Sequence, residues 1–301
     1  MFNSPLLVLV CSLLALALAL LILAIGRRRW ARTVSAGVAS SPSEPAPQES
    51  SLPLIELNDV YKSFGSQKVL NRVSLKIQRA ETLGILGMSG GGKSVMLQLI
   101  VGLLWPDQGE IRFKGRSLEE MSESDLLDVR RRVSYVFQSG AVFDFLSVGE
   151  NIAYPLRERG MADEEQIDRR VEELLDAVEL EGMGDQEYDE LSLGSKKQVA
   201  IARAIATNPE AILYDEPTSG VDPMIGKTLS RLIRKLNRQN NLTSVVVTHD
   251  LQCLATVSDR ITLLKDGRIH FEGDLEALYS SSDPFVQAFI TGRHPDGRIE
   301  T

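Results

Sequence analysis

Cysteine, histidine and tryptophan are all scarce in this chain, at two, three and two in 301 residues. Cys11 and Cys253 lie far apart and have neither metal-ligand spacing nor the partners of a disulfide framework. A reducing cytosol is the simplest setting for the main domain. Positive charge is also short: 33 Lys and Arg against 41 Asp and Glu leave a formal net charge of -8. That balance argues against a surface built on phosphate contacts along DNA or RNA, and no nucleic-acid partner is expected. The 43% of hydrophobic and 25% of charged residues are otherwise those of an ordinary globular protein. About 250 residues beyond the N-terminal segments suffice for one large domain or two small ones.

One stretch departs from that balance. Residues 5–25, PLLVLVCSLLALALALLILAI, are almost wholly apolar and contain no charge. They are long enough to cross a ~30 Å hydrocarbon core as a helix. Arg27, Arg28, Arg29 and Arg32 follow at once, and no Lys or Arg precedes the run. The positive-inside rule then puts the rest of the chain in the cytoplasm, with residues 1–33 as a single inner-membrane anchor and basic flank. A cleaved signal peptide would carry its charge before the apolar run. Residues 34–53, rich in Ser, Pro and Ala without periodicity, read as a disordered tether.

From residue 54 onward short apolar runs alternate with helical ones. Strands are expected at 54–60, 73–77, 82–86, 111–113, 133–137, 211–214, 244–248 and 260–264. Lys265-Asp266-Gly267-Arg268 reads as a hairpin turn into 269–271. Helices are expected at 95–104, 164–178, 195–207 and 226–239; in the second, Ile167, Val171, Leu174, Leu175 and Val178 form one apolar stripe. Interleaved strands and helices imply an α/β fold around a mostly parallel sheet. Residues 139–191, without a clear strand, form a candidate helical lobe.

The chemistry begins at Gly87-Met88-Ser89-Gly90-Gly91-Gly92-Lys93-Ser94, a G-x-x-x-x-G-K-S loop between an apolar strand and a helix. Glycines let backbone N–H groups face anionic oxygen, and the following helix adds the positive end of its dipole. Lys93 would neutralise β- and γ-phosphate charge, and the Ser94 hydroxyl would bind Mg²⁺. The chain is therefore expected to bind a nucleotide. A second apolar strand ends in Asp215-Glu216. Neighbours on a strand face opposite sides, so one carboxylate is free for the Mg²⁺ shell while the other polarises an attacking water. His249 and Gln138 also follow strands, where a histidine suits a γ-phosphate sensor and a glutamine oxygen a Mg²⁺ ligand or water-orienting group.

In order and content these motifs resemble the ATPase subunit of an ABC transporter over about 220 residues, from 54 to 273. The resemblance implies an ABC-type P-loop ATPase with a RecA-like core sheet, an antiparallel β subdomain and a helical lobe, here preceded by one transmembrane helix and followed by a tail at 274–301. It assigns Phe64 to adenine stacking, 87–94 to the Walker A loop, Gln138 to the Q-loop, Asp215 to Mg²⁺ and Glu216 to catalysis. It makes Ser219 to Asp222 the D-loop, His249 the switch histidine, and Ser192 and Gly194 the signature groups that meet the partner subunit's γ-phosphate. Narrower likenesses, Phe137 to Phe143, Asn151 to Arg157 and Asp283 to Phe289, are similar to Mla/Mce-type lipid-transport ATPases. They imply ATP and Mg²⁺ as cofactors and a homodimer driving a separate multi-span permease. An MCE-domain substrate-binding protein and a small cytoplasmic accessory subunit are further implied partners.

The signature departs from Leu-Ser-Gly-Gly in reading Leu191-Ser192-Leu193-Gly194-Ser195. If position 193 needs φ > 0, leucine there costs about 1 kcal/mol or more; otherwise it simply points away. Lys196 and Lys197 put cations at a helix start, where the dipole prefers anions. Two other readings stay open: the ATPase of another membrane machine, such as lipoprotein release, and a low-turnover regulatory subunit.

Overall fold

The computed structural model describes residues 52–291. The expected anchor, its arginine flank, nearly all of the tether and residues 292–301 lie outside the described residues. Among the described residues no helix is long and apolar enough to cross a membrane.

Two sheets organise these residues. The first is antiparallel, in the order β2-β1-β4-β5, with β1 Ile55–Phe64, β2 Gln67–Ile77, β4 Gln108–Phe113 and β5 Arg116–Ser117. The second has the order β10-β9-β3-β8-β7-β6. Its strands β3 Thr82–Gly87, β6 Val133–Val136, β7 Ala211–Asp215, β8 Thr243–Thr248 and β9 Arg260–Lys265 run parallel, and β10 Arg268–Gly273 pairs antiparallel with β9. Asp266 and Gly267 both have positive φ, as the tight hairpin between β9 and β10 requires.

The parallel strands are apolar on both faces because both are covered. Leu83, Ile85, Leu213, Val245 and Val247 join one core cluster, and the alternate residues Leu86, Ile212, Tyr214 and Val246 join the other. The first face packs α1 (Lys93–Ile100), α2 (Glu123–Arg132) and the antiparallel sheet. The second packs α3 (Val148–Glu158), α4 (Glu164–Ala177), α5 (Leu193–Ile205), α6 (Pro223–Gln239) and α7 (Leu251–Val257). Ile167, Val171, Leu174, Leu175 and Val178 are all buried, so the apolar stripe read from the sequence is the packed face of α4. Between β6 and β7 only an isolated Ser147–Glu187 bridge interrupts helix and loop. Beyond β10 the chain forms two short helices, α8 (Leu275–Ser280) and α9 (Pro284–Ile290).

Glu210, just before β7, fixes the junction between the layers. Its carboxylate accepts from Lys114 at 2.7 Å, Arg132 at 3.2 Å and Arg79 at 3.3 Å. These side chains come from the antiparallel sheet, the end of α2 and the β2–β3 turn. Burial alone would raise the pKa of such a carboxyl, yet the Lys114, Arg132 and Arg79 hydrogen bonds hold it below the usual carboxylate value.

Candidate nucleotide-binding site

The strand order decides where the polar residues gather. Leu86 of β3 pairs with Thr248 of β8, and Asp215 of β7 pairs with Val247. Three strands therefore finish at one level, and the residues that follow them meet in one cleft of about 300 Å³. Phe64, Lys93, Ser94, Gln138, Glu216 and His249 are among its lining residues.

The loop from Gly87 to Ser94 turns at Gly91, whose N–H donates to Met88 O at 3.0 Å. Gly90 and Gly92 have φ of 75° and 95°. A Cβ at Gly92 would stand 2.9 Å from Val69 O, so both conformation and space demand glycine at this N-cap of α1. Lys93 is buried, and its ammonium donates to Gly87 O at 2.8 Å and Met88 O at 3.1 Å. It also lies 3.4 Å from Glu216 Oε1. Phe64, half exposed at the end of β1, has the Lys62 ammonium 5.5 Å from its ring centroid.

Asp215 and Glu216 take different contacts, but not because strand neighbours alternate. Asp215 Oδ1 accepts from Ser94 Oγ at 2.9 Å, and Oδ2 accepts from Tyr135 OH at 2.9 Å. Glu216 has left the strand, with φ at 47°, and its carboxylate turns into the same cleft. There Oε2 accepts from Thr248 Oγ1 at 2.9 Å and lies 2.9 Å from His249 Nδ1. A local left-handed residue, not the period of the sheet, separates the two carboxylates. Gln138 also lines the cleft, but its amide N–H donates to Ser219 Oγ at 3.1 Å instead of reaching the Ser94–Asp215 pair.

Ser192, Gly194 and Asp222 are not among the residues lining this cleft. Ser192 is the N-cap of α5, accepting from Ser195 N–H at 3.1 Å. Asp222 caps α6 by accepting from Met224 N–H at 2.8 Å. Gly194 is packed so closely on Ile225 that a Cβ would meet its Cγ2 at 2.8 Å. Leu193 opens α5, is about half exposed, and is absent from the positive-φ residues. The strain that a left-handed leucine would carry is therefore absent, which leaves the alternative of a leucine that adds no backbone cost. Lys197 is likewise no solvated cation on a helix face: it is buried and donates to Gln138 O at 2.5 Å. Burial holds its ammonium below the usual lysine value, opposed by the charges of Asp215 and Glu216.

Tyr135 and Thr248 contact the constellation without having been singled out in the sequence, while Ser219, read as part of the D-loop, and Lys197, read as a helix-start cation, contact it through Gln138. Burial, followed by the neighbouring Asp215 charge and the hydrogen bond to it, pushes the Tyr135 phenol far above its ordinary value, so it stays a donor. Cys253 is buried and its thiol is pushed up to about 11, chiefly by burial, which leaves it unreactive. A larger hollow of about 620 Å³ lies in the helical region, lined by Arg157 and by Glu150, Asp168 and Glu172 among others. It shares no lining residue with the cleft.

The site fits a nucleotide triphosphate and a hard divalent cation. The loop supplies backbone N–H groups and a buried ammonium, while Ser94 and Asp215 supply oxygen ligands already side by side. Among the described residues no group of three or more His, Cys, Asp or Glu is arranged to hold a metal by itself.

Comparison with known proteins agrees with this geometry. Residues 70–219 match the ABC transporter family model. The chain is 39% identical over 239 residues to the intermembrane phospholipid transport system ATP-binding protein MlaF of Escherichia coli K12, covering 79% of this chain and 89% of that protein. It is also 38% identical over 240 residues to the sulfate/thiosulfate import ATP-binding protein CysA of Bradyrhizobium diazoefficiens, covering 78% and 68%. Among solved structures it is similar to the dimeric ATP-binding cassette MJ0796 in a post-hydrolysis state bound to ADP and Pi. The TM-score is 0.67 at 35% identity, over 73% of this chain and 98% of that one.

Because Leu193 is helical and partly solvated, Leu193→Gly is expected to lower thermal stability slightly, by at most about 1 kcal/mol. ATP turnover should stay within about twofold of the parent. A turnover increase of tenfold or more would instead make Leu193 a brake on hydrolysis.

Proposed function

Since the chain belongs to the ABC transporter family and is an ATPase of that family, we propose that it drives transport of phospholipids or related hydrophobic molecules across or between membranes of the cell envelope. The observation that carries the chemistry is the Glu216 carboxylate, held by Thr248 and His249 at one oxygen and near Lys93 at the other. The likeness to MlaF over 89% of its length supports the cargo class. A sulfate/thiosulfate importer is nearly as similar. Overall identity therefore does not choose the cargo, and the Mla-like segments at Phe137 to Phe143 and Asn151 to Arg157 carry that choice.

In this reading Phe64 stacks on adenine, and Lys93 exchanges the Gly87 and Met88 carbonyls for β- and γ-phosphate oxygens. The N–H groups of residues 88–94 and the start of α1 surround the same phosphates. Ser94 and Asp215 would hold Mg²⁺, joined by Gln138 once its amide leaves Ser219, and the ion would supply positive charge against the phosphate oxygens. Glu216 accepts the proton of a water that attacks the γ-phosphorus in line, and ADP leaves as phosphate forms. His249 steadies the carboxylate and reports the γ-phosphate. Ser192 and Gly194, which do not line their own cleft, complete the site of a second copy, and Asp222 anchors the loop beside them. The site thus calls for a homodimer with two nucleotides between the subunits.

A single anchor cannot form a path through a bilayer. A separate multi-span permease and an MCE-domain substrate-binding protein therefore complete the machine. In this reading the apolar run at residues 5–25 serves as an anchor that raises the local concentration of the ATPase beside them at the inner membrane. A small cytoplasmic accessory subunit is a further partner of this assembly.

Glu216→Gln removes the proton acceptor while keeping the size and a hydrogen-bonding oxygen. Steady-state ATP turnover should fall at least about 100-fold, with an ATP-bound dimer persisting in size-exclusion chromatography. Unchanged turnover would remove Glu216 from its assigned role. For the cargo class, the full chain isolated from its native membrane in mild detergent should carry a multi-span permease and an MCE-domain protein. Recovery with a different membrane machine would overturn the phospholipid assignment and leave the ATPase chemistry intact.

A further inference from the structure

Tyr135 is the one aromatic hydroxyl bonded to the acidic pair among the described residues, and the proposed mechanism gives it no task. It lies on β6 opposite Leu213 of β7, which places it diagonally from Asp215 on the same face of the sheet. Its hydroxyl reaches Asp215 Oδ2 at 2.9 Å, while Oδ1 of the same carboxylate takes the Ser94 hydroxyl at 2.9 Å. Its ring stacks on Phe137 with centroids 4.0 Å apart and planes at 25°. Phe137 directly precedes Gln138. A single side chain thus touches one of the three groups assigned to Mg²⁺ and the residue that leads into a second.

We propose that Tyr135 is a positioning residue for divalent-cation binding: its hydroxyl holds the Asp215 carboxylate on the Ser94 side of the cleft, and its ring braces the entry to Gln138. The torsion of an aspartate carboxylate is broad and has no sharp minimum of its own. Asp215 is buried, so an oxygen left without a donor would lack compensation and would turn toward any other donor within reach. With Oδ2 fixed by the phenol, Oδ1 keeps its place beside Ser94. Partners that orient ligating carboxylates in this way commonly change metal affinity about 10- to 100-fold when removed. The inference rests on Ser94, Asp215 and Gln138 being the Mg²⁺ ligands.

Tyr135→Phe in the full-length detergent-solubilised protein tests it, because the variant keeps the ring on Phe137 and removes only the hydroxyl. Mn²⁺ binding is followed by electron paramagnetic resonance with ADP present, so no turnover is needed. Affinity for a fluorescent ATP analogue is measured separately in EDTA. The expected result is Mn²⁺ binding weakened about tenfold, with metal-free nucleotide affinity unchanged within twofold. The Mg²⁺ concentration for half-maximal turnover should rise by a similar factor while turnover at saturating Mg²⁺ changes little. Equal Mn²⁺ affinity in parent and variant would overturn the inference and leave the ligand assignment standing. Equal losses of metal and metal-free nucleotide binding would also overturn it, by showing that Tyr135 shapes the whole cleft. If the parent itself bound no Mn²⁺ with ADP, the ligand assignment would fail first and this inference with it.

Discussion

The parallel pairing of β3, β8 and β7 is the constraint on which the site depends. Their register sets Leu86 beside Thr248 and Asp215 beside Val247, so the residues after each strand emerge together. Each strand is buried on both faces, and a slip of one residue would transfer its alternating side chains from one core cluster to the other. The same packing that fixes the fold therefore fixes where Lys93, Glu216 and His249 meet. Open sheets of this kind bind ligands beyond the carboxyl ends of their strands, and this cleft follows that rule.

The charges brought together there offset one another. Lys93 and Glu216 are both buried and lie 3.4 Å apart. Removing one partner from a buried pair costs roughly 3–5 kcal/mol, because the other charge is left uncompensated. The lysine is further held by two loop carbonyls, so only a stronger acceptor displaces them, and phosphate oxygen is such an acceptor. Selectivity for an anionic ligand is thus built into the cost of an unpaired ammonium.

Much of this was legible in the sequence, for reasons that differ by element. Each expected strand lies on a strand of the structure, and those of the parallel sheet stand out because a sheet covered on both faces demands compact apolar runs. No bounds were expected for α2, α3, α7, α8 or α9. α2 buries only Leu126 and Val129, too few for a visible stripe, and α3 contains Pro155 in its interior. Both are started by capping boxes, Ser122 with Asp125 and Ser147 with Glu150, which were the available signal. The loop glycines and the acidic pair announced themselves by spacing. Tyr135 and Thr248 did not, since each sits on an apolar strand and becomes polar machinery only through a neighbour distant in sequence. For Lys197 the sequence showed only a cation near a helix start, whereas packing buries it against the Gln138 carbonyl.

Glu216 shows how a departure from the regular pattern produces the function. Had the strand continued, Glu216 would face away from Asp215. Its φ of 47° instead rotates the chain, at a cost of about 1–2 kcal/mol for a residue with a side chain. Two backbone hydrogen bonds stabilise the turn: Glu216 N–H donates to Val247 O at 2.9 Å, and Ser219 N–H donates to Glu216 O at 3.1 Å. Thr248 and His249 then hold the carboxylate from β8, the strand that also supplies the Val247 acceptor. The left-handed residue and its partners form one device, in which the neighbouring strand both sustains the strain and receives the side chain the strain delivers. Backbone strain of this size persists only where surrounding contacts over-determine it, and here those contacts belong to the acidic pair and the strand beside it.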